Sequence, residues 1–523
     1  MSIQGQSYIN GQWVVPTGGK FSSWNPVTDS AIAEVSSCTR EDVETAANAA
    51  AAAMPVLRAK STDDIAKLLN TIADEIEALG SELIETGMAE TGLPEARLIG
   101  ERGRTCGQIR AFANLVADGS YLQASIDLAQ PDRQPLPKPD IRACFQPLGP
   151  IAVFGASNFP FAFGCLGGDT AAALAAGNAV IAKGHPSHPQ TSSLFAKATA
   201  TAIEKCDFPT ATFSLLQGSG HELGTALVEH EAIKAVGFTG SLGGGRALMD
   251  IAAKRATPIP VYAEMGSVNP VFVMPDALDN NLDDIAAGLA GSIVMGTGQF
   301  CTSPGLVVTL KSELAEKTAA HLSEQPQGVM LNPGIASALN SGIQERLGNS
   351  KVELLTGGLA KETPLKPCNS LMKVSAETFL SDDELLEELF GPVSLVVECD
   401  SVTQMQAVAK HIQGNLTATI HTQAFDDDAV KSLLAALSAT TGRVLFNGYP
   451  TGVEVCPSMV HGGPYPASSS ATATSVGTAA INRFVSRVAY QNCPDNLLPA
   501  ALQNANPLGI WRLVDGEFSQ TTV

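Results

Sequence analysis

Charge is scarce in this chain of 523 residues: Asp, Glu, Lys and Arg make up 16%, against roughly 25% in typical soluble domains. Basic charge is scarcer still, with 32 Lys+Arg against 52 Asp+Glu and a formal net charge of −20. A surface of that sign repels phosphate backbones and anionic headgroups, which argues against nucleic-acid and membrane-surface partners. It leaves any single pocket free to be basic. Ten cysteines are too few and too irregularly spaced for a disulfide framework, and no CxxC pair occurs. The opening MSIQGQSYINGQW has neither a basic n-region nor an apolar h-region, so no signal peptide is expected. No internal repeat of the solenoid kind is present. One uncharged stretch, 143–168, is long enough to span a bilayer. Pro147, Pro150, Pro160, five glycines and a central Asn158 interrupt it, so a buried strand, loop and helix fit better. A soluble, cytoplasmic protein is expected.

What is present is apolar: 45% of the residues, enough for a large core in two or three packed units. Asn10-Gly11 within YINGQWV suits the tight turn of a hairpin. Thr39 with Asp42, and Ser61 with Asp64, form capping-box patterns ahead of helical runs. Ile65, Leu68, Leu69, Ile72, Ile76 and Leu79 then recur at helical period, a core stripe. From about residue 145, strands (Ile151–Phe154, Ala179–Ala182, Thr212–Leu216, Ala235–Phe238) alternate with helices (Asp169–Ala176, Thr191–Cys206, His221–His230). That alternation predicts an α/β fold with a parallel sheet covered on both faces. A second alternating block runs from about 268 to 459. The proline-rich 131–140 reads as an extended edge or arm, and the Ser/Ala/Thr-rich 467–480 as a loop.

Chemistry-bearing residues are individually modest. Gly218-Ser219-Gly220 with Gly224 is GxGxxxG, a near miss of the dinucleotide fingerprint that a plain turn also explains. FTGSLGGGRAL (238–248) is a better phosphate site, because a helix starting near Leu242 would offer free N–H groups. Cys301 in GQFCTSP follows a glycine-rich turn, yet any one of ten cysteines is ordinarily a spare buried thiol. Glu264 in AEMGSVNP is a lone carboxylate on an apolar segment, uncommon without a partner or a task. His461 in HGGPYP reads equally as a general base or a loop histidine.

Taken in order, the pieces agree. Asn158-Phe159-Pro160, Lys183, Phe238-Thr239-Gly240-Ser241, Glu264-Met265-Gly266, Cys301 and Glu388-Leu389-Phe390-Gly391-Pro392 resemble the aldehyde dehydrogenase superfamily over about residues 8 to 465. The resemblance implies a Rossmann-type cofactor domain (1–125 and 146–264), an α/β catalytic domain (265–465) and a small oligomerisation element (126–145 and 466–523). It also implies oxidation of an aldehyde to a carboxylate with NAD or NADP by a homodimer or homotetramer. Cys301 matches the nucleophile, which forms a thiohemiacetal and then a thioester. Asn158 and the Cys301 N–H match the oxyanion donors, and Glu264 matches the base that activates water. Its presence favours water over coenzyme A as acyl acceptor.

Lys183, Phe238, Gly240, Ser241, Glu388 and Phe390 are implied cofactor contacts. NAD-preferring relatives often carry a glutamate three positions after the lysine, where Pro186 stands here. The expected cofactor is therefore NADP, with NAD admissible. The segments 154–189 and 459–468 resemble the branch that holds α-ketoglutaric semialdehyde (2,5-dioxopentanoate) dehydrogenases. A related NADP-dependent fatty aldehyde dehydrogenase uses the histidine of the HGGP segment near its nucleophile, which gives His461 a catalytic reading. A substrate with a distal carboxylate needs a cation, for which arginine suits. Arg104 and Arg110 lie on the helix that lines the family's substrate entrance, six residues apart and so roughly 120° around it. One of them is expected to face the substrate, alongside Phe159. A broad or long-chain aldehyde dehydrogenase is the competing expectation. A catalytically silent structural member is disfavoured by the retention of Cys301, Glu264, Asn158 and Lys183. No metal is expected.

Overall fold

The computed structural model describes residues 5–523, the side chain of Asn280 aside; residues 1–4 of the segment read for a leader lie outside it. Asn10 and Gly11, at φ of 47° and 82°, turn the hairpin between Ser7–Ile9 and Gln12–Val14. Both capping boxes are formed and start helices Arg40–Ala59 and Thr62–Ala78. The first continues past Met54 through Pro55. The carbonyl that Pro55 leaves unbonded belongs to the exposed Ala51, where water can satisfy it.

The first sheet has seven strands. In spatial order they are Val261–Glu264, Ala235–Thr239, Ile151–Phe154, Val180–Lys183, Phe213–Leu216 and the two strands of the hairpin. The first five are parallel and the hairpin adds antiparallel. Register places Phe154, Lys183, Leu216 and Phe238 in one row, with Thr239 and Glu264 one step further. This row is the carboxyl edge of an open parallel sheet, where such folds bind ligands. The helices between these strands, Gly168–Ala175, Pro189–Lys205 and His221–Glu229, fall within two residues of their expected limits. The uncharged 143–168 is indeed strand, buried turn and helix start. No helix among the described residues is long and apolar enough to cross a membrane.

The second block forms another seven-stranded sheet, ordered Glu353–Thr356, Ser370–Ser375, Val393–Cys399, Leu306–Leu310, Val271–Val273, Asn415–His421 and Thr441–Phe446. Only its first strand is antiparallel. A third, five-stranded sheet joins distant parts of the chain. Ile141–Pro147 lies between Ser125–Asp127 and Val485–Gln491, and Arg512–Val514 with Glu517–Ser519 extends the far side. The proline-rich 131–140 is a loop of this sheet, closed by paired backbone bonds between Gln130 and Lys138.

Residues 467–469 do not form a free loop. They add to the open edge of Val261–Glu264: Met265 N–H donates to Ala467 O (2.8 Å) and Ser469 N–H to Ala263 O (2.9 Å). A buried ion pair between Asp169 and Arg483 (2.7 Å) fixes the chain that follows. The segment from His461 to Ser475 is thereby held against the carboxyl edge of the first sheet.

Candidate active site

Cys301 reaches the seam between the two large sheets on an unusual turn. After the helix Pro275–Val294, Gly296, Thr297 and Gly298 all have positive φ (58°, 59° and 64°). For the β-branched Thr297 this is a strained conformation. Gly298 is demanded twice over, because a Cβ there would lie 2.1 Å from the Gly391 backbone. That close approach packs the nucleophile turn onto the loop carrying Glu388. Buried Asn269 secures the other side, its amide donating to the carbonyls of Cys301 and Ser303 (2.9 Å each).

Three reactive groups converge. Cys301 Sγ lies 3.3 Å from His461 Nε2, which lies 2.9 Å from Glu264 Oε1. The other carboxylate oxygen accepts a very short hydrogen bond from Ser475, whose N–H also donates to His461 O (2.8 Å). Glu264 and His461 are 4% and 2% exposed. Burial alone would raise the Glu264 pKa; the neighbouring His461 and the hydrogen bond from Ser475 outweigh it and hold the carboxyl below its ordinary value. The Cys301 thiol is driven well above its ordinary value, first by burial and then by the charges of Glu264 and Glu388. Asn158 Nδ2 donates to Gln299 O (2.8 Å), which fixes the amide and leaves its second N–H for a ligand. Such a set can protect, release and then use a thiol nucleophile, with a carboxylate in reserve for a second proton transfer.

A cleft of about 750 Å³ opens from this point and is lined by Asn158, Cys301, Glu264, Gly240, Ser241, Glu388 and Phe390 at one end and by His185, Pro186 and Ser187 at the other. Ser241 caps the helix Leu242–Lys254, and a Cβ on Gly243 would meet only open space. The free N–H groups there suit a pyrophosphate. Lys183, at the end of its strand, has no ion-pair partner among the described residues; burial lowers its pKa to about 8. Burial likewise pushes Glu388 up to about 8, against a hydrogen bond from the Ser267 N–H. Gly266 makes room for it, since a Cβ there would sit 2.7 Å from Glu388 Oε2. Phe238 does not line this cleft; its ring instead packs under Gly240, where a Cβ would fall 2.7 Å from it. An uncompensated cation, a helix start and an accommodating glycine together fit a dinucleotide.

Phe159, Phe163, Ala156, Ala162 and Val476 form a separate apolar cluster with Phe300 and Met459 packed against it. Phe159 meets Phe300 and Phe163 edge-on, at centroid distances of 5.0 and 5.6 Å. Two arginines of the helix Glu95–Asp118 face it. Arg97 lies over Phe159 and Phe300, and Arg104 over Phe159 and Phe163. Arg104 Nε and Nη2 are shielded from water and make no hydrogen bond to the described residues. Burial lowers its pKa, while Cys301 and Glu101 lie near enough to oppose the shift. Arg110 corrects the expectation that grouped it with the substrate. It points to the other side of the helix, paired with Glu77 and Asp74 at the surface, because that face packs on Thr62–Ala78. Arg97, Phe300, Asn269 and Ser475 went unread in the sequence.

Comparison with known proteins agrees with this geometry. Residues 13–487 match the aldehyde dehydrogenase family. The chain is 47% identical over 523 residues to alpha-ketoglutaric semialdehyde dehydrogenase 2 of Azospirillum brasilense, covering 99% of this chain and 100% of that one. It is 43% identical to alpha-ketoglutaric semialdehyde dehydrogenase of Acinetobacter baylyi, covering 99% of each. Its fold matches the crystal structure of PnpE from Pseudomonas sp. WBC-3 with a TM-score of 0.79 and 24% identity, over 93% of this chain and 97% of that one. The chain belongs to the aldehyde dehydrogenase family. It is an oxidoreductase of the NAD(P)-dependent kind, and its substrate is an aldehyde.

Because the Glu264 charge helps hold Cys301 as a thiol, Glu264→Gln is expected to lower the thiol pKa. Iodoacetamide alkylation of Cys301 near neutral pH, followed by peptide mass spectrometry, should then run severalfold faster than in the parent.

Proposed function

We propose that the enzyme oxidises 2,5-dioxopentanoate, α-ketoglutaric semialdehyde, to 2-oxoglutarate. The observation that carries this reading is Arg104, a half-buried guanidinium with two nitrogens, Nε and Nη2, that are shielded from water without a hydrogen-bonded partner among the described residues, facing the apolar cluster beside the nucleophile. Shielded donors left unpaired are costly, and the distal carboxylate of a short dicarboxylic semialdehyde would satisfy these two with a bidentate pair. A fatty aldehyde offers them nothing. The names of the two close relatives support the same substrate.

Cys301 as thiolate attacks the aldehyde carbon, and the Asn158 amide and the Cys301 N–H take up the charge that develops on oxygen. His461 Nε2, at 3.3 Å, is placed to accept the thiol proton. NAD(P), when bound, supplies the hydride acceptor. Glu264 then removes a proton from the water that hydrolyses the thioester, with Ser475 fixing its orientation. Ser241 and the following N–H groups would hold the pyrophosphate, Glu388 and Phe390 the nicotinamide end, and Lys183 the adenosine ribose. NADP is the preferred form, since Pro186 puts no carboxylate on the cleft wall after Lys183 to repel a 2′-phosphate.

The chain acts as a homodimer or homotetramer. Exposed Phe518 on the third sheet and Trp511 just ahead of its strand Arg512–Val514 (75% and 56% exposed) support pairing through 126–145 and 466–523. The cofactor would be held by 1–125 with 146–264 and the nucleophile supplied by 265–465. Ten free thiols suit a reducing, cytoplasmic setting.

The decisive assay compares kcat/KM for 2,5-dioxopentanoate with a hexanal-to-dodecanal series. The dioxo acid should win by at least tenfold, about 1.4 kcal/mol of transition-state preference; a win for the long aldehydes overturns the substrate. Arg104→Gln should remove roughly ten- to hundredfold of that value, the worth of a charged hydrogen bond, while leaving hexanal turnover unchanged.

Lys183 gives the cofactor reading a signed pH dependence. Its cation is present below about 8 and lost above it, so the NADP-over-NAD ratio of kcat/KM should fall as pH rises through that value. A ratio independent of pH would remove Lys183 from phosphate recognition.

A further inference from the structure

The same seam has a property that aldehyde oxidation does not require. Cys301 Sγ, His461 Nε2 and a Glu264 carboxylate oxygen lie within 4.8 Å of one another. Although Nε2 and Oε1 are 2.9 Å apart, Oε1 has no aligned hydrogen-bond donor. In a tetrahedral zinc site with bonds of about 2.3 Å to sulfur and 2.0–2.1 Å to nitrogen or oxygen, neighbouring donors stand roughly 3.3–3.6 Å apart. The observed 3.3 Å and 2.9 Å need only a small opening. Thiolate, imidazole and carboxylate are the borderline-soft mixture that selects Zn²⁺ over Mg²⁺ or Ca²⁺. Ser475 already fixes the Glu264 carboxylate and the His461 backbone from behind.

We propose that the resting enzyme binds one Zn²⁺ per chain on Cys301, His461 and Glu264, and that this reversibly locks the nucleophile. Zn²⁺ forms a bond to Sγ as the thiol proton leaves to solvent, and a water completes the fourth position. No electron is transferred. The thiolate is then unavailable for addition to an aldehyde, and a chelator restores it. This state is inhibitory and independent of which aldehyde is the substrate.

Co²⁺ added to the full-length, metal-free protein gives the direct readout. A near-ultraviolet thiolate-to-Co²⁺ charge-transfer band should saturate at one equivalent and be displaced by Zn²⁺. Cys301→Ala should abolish the band, whereas Cys456→Ser should retain it. His461→Ala should weaken binding by more than the roughly ten- to hundredfold that a supporting group contributes. In the unmodified protein, Zn²⁺ should slow iodoacetamide alkylation of Cys301 at least tenfold and EDTA should reverse this, so a variant that misfolds does not decide the matter. Absence of the band, its survival in Cys301→Ala, unchanged affinity in His461→Ala, or unprotected alkylation would each overturn the site.

Discussion

One buried carboxylate sets the terms for everything around it. Glu264 ends a strand of the first sheet and is almost withdrawn from water, yet it is kept ionised by His461 and Ser475. A carboxylate so placed costs several kcal/mol unless neighbouring groups answer its charge. Both answering residues come from a segment about 200 positions further along the chain. That segment must therefore close over the sheet edge, and residues 467–469 do so by backbone pairing on either side of Glu264. The nucleophile inherits the consequence. Burial first, and then the charges of Glu264 and Glu388, make the Cys301 thiol resist ionisation.

Two sheets meet at this point because each delivers something the other lacks. The first offers its carboxyl edge and the helix start capped by Ser241; the second offers the turn that presents Cys301. Their contact is set by glycine. Gly266, just past the last strand of the first sheet, leaves room for Glu388 of the second block, while Gly298 lets the nucleophile turn pack on the Gly391 backbone within that block.

Local signals were legible where local physics decides. The Asn10-Gly11 turn, the capping boxes at Thr39 and Ser61, and the alternating strands and helices from Ile151 onward follow from short-range rules, and the structure keeps them. Cys301, Glu264 and Asn158 became readable only as an ordered set. Ser475 lay hidden in a Ser/Ala/Thr-rich stretch whose composition signals a loop, because its function comes from a contact across 211 positions. Asn269 was missed for the same reason. Arg104 and Arg110 share a helix and differ only in which face packs on Thr62–Ala78, a fact of tertiary packing that a one-dimensional pattern leaves open.

The most direct test of the role given to Glu264 is a stopped-flow record of reduced cofactor formation by Glu264→Gln. A base that serves hydrolysis alone leaves the first turnover intact, so a burst near one equivalent per chain should precede a steady state slowed by about 10²–10⁴. Loss of the burst would put Glu264 in acylation instead. An unchanged steady state would take it out of the chemistry altogether.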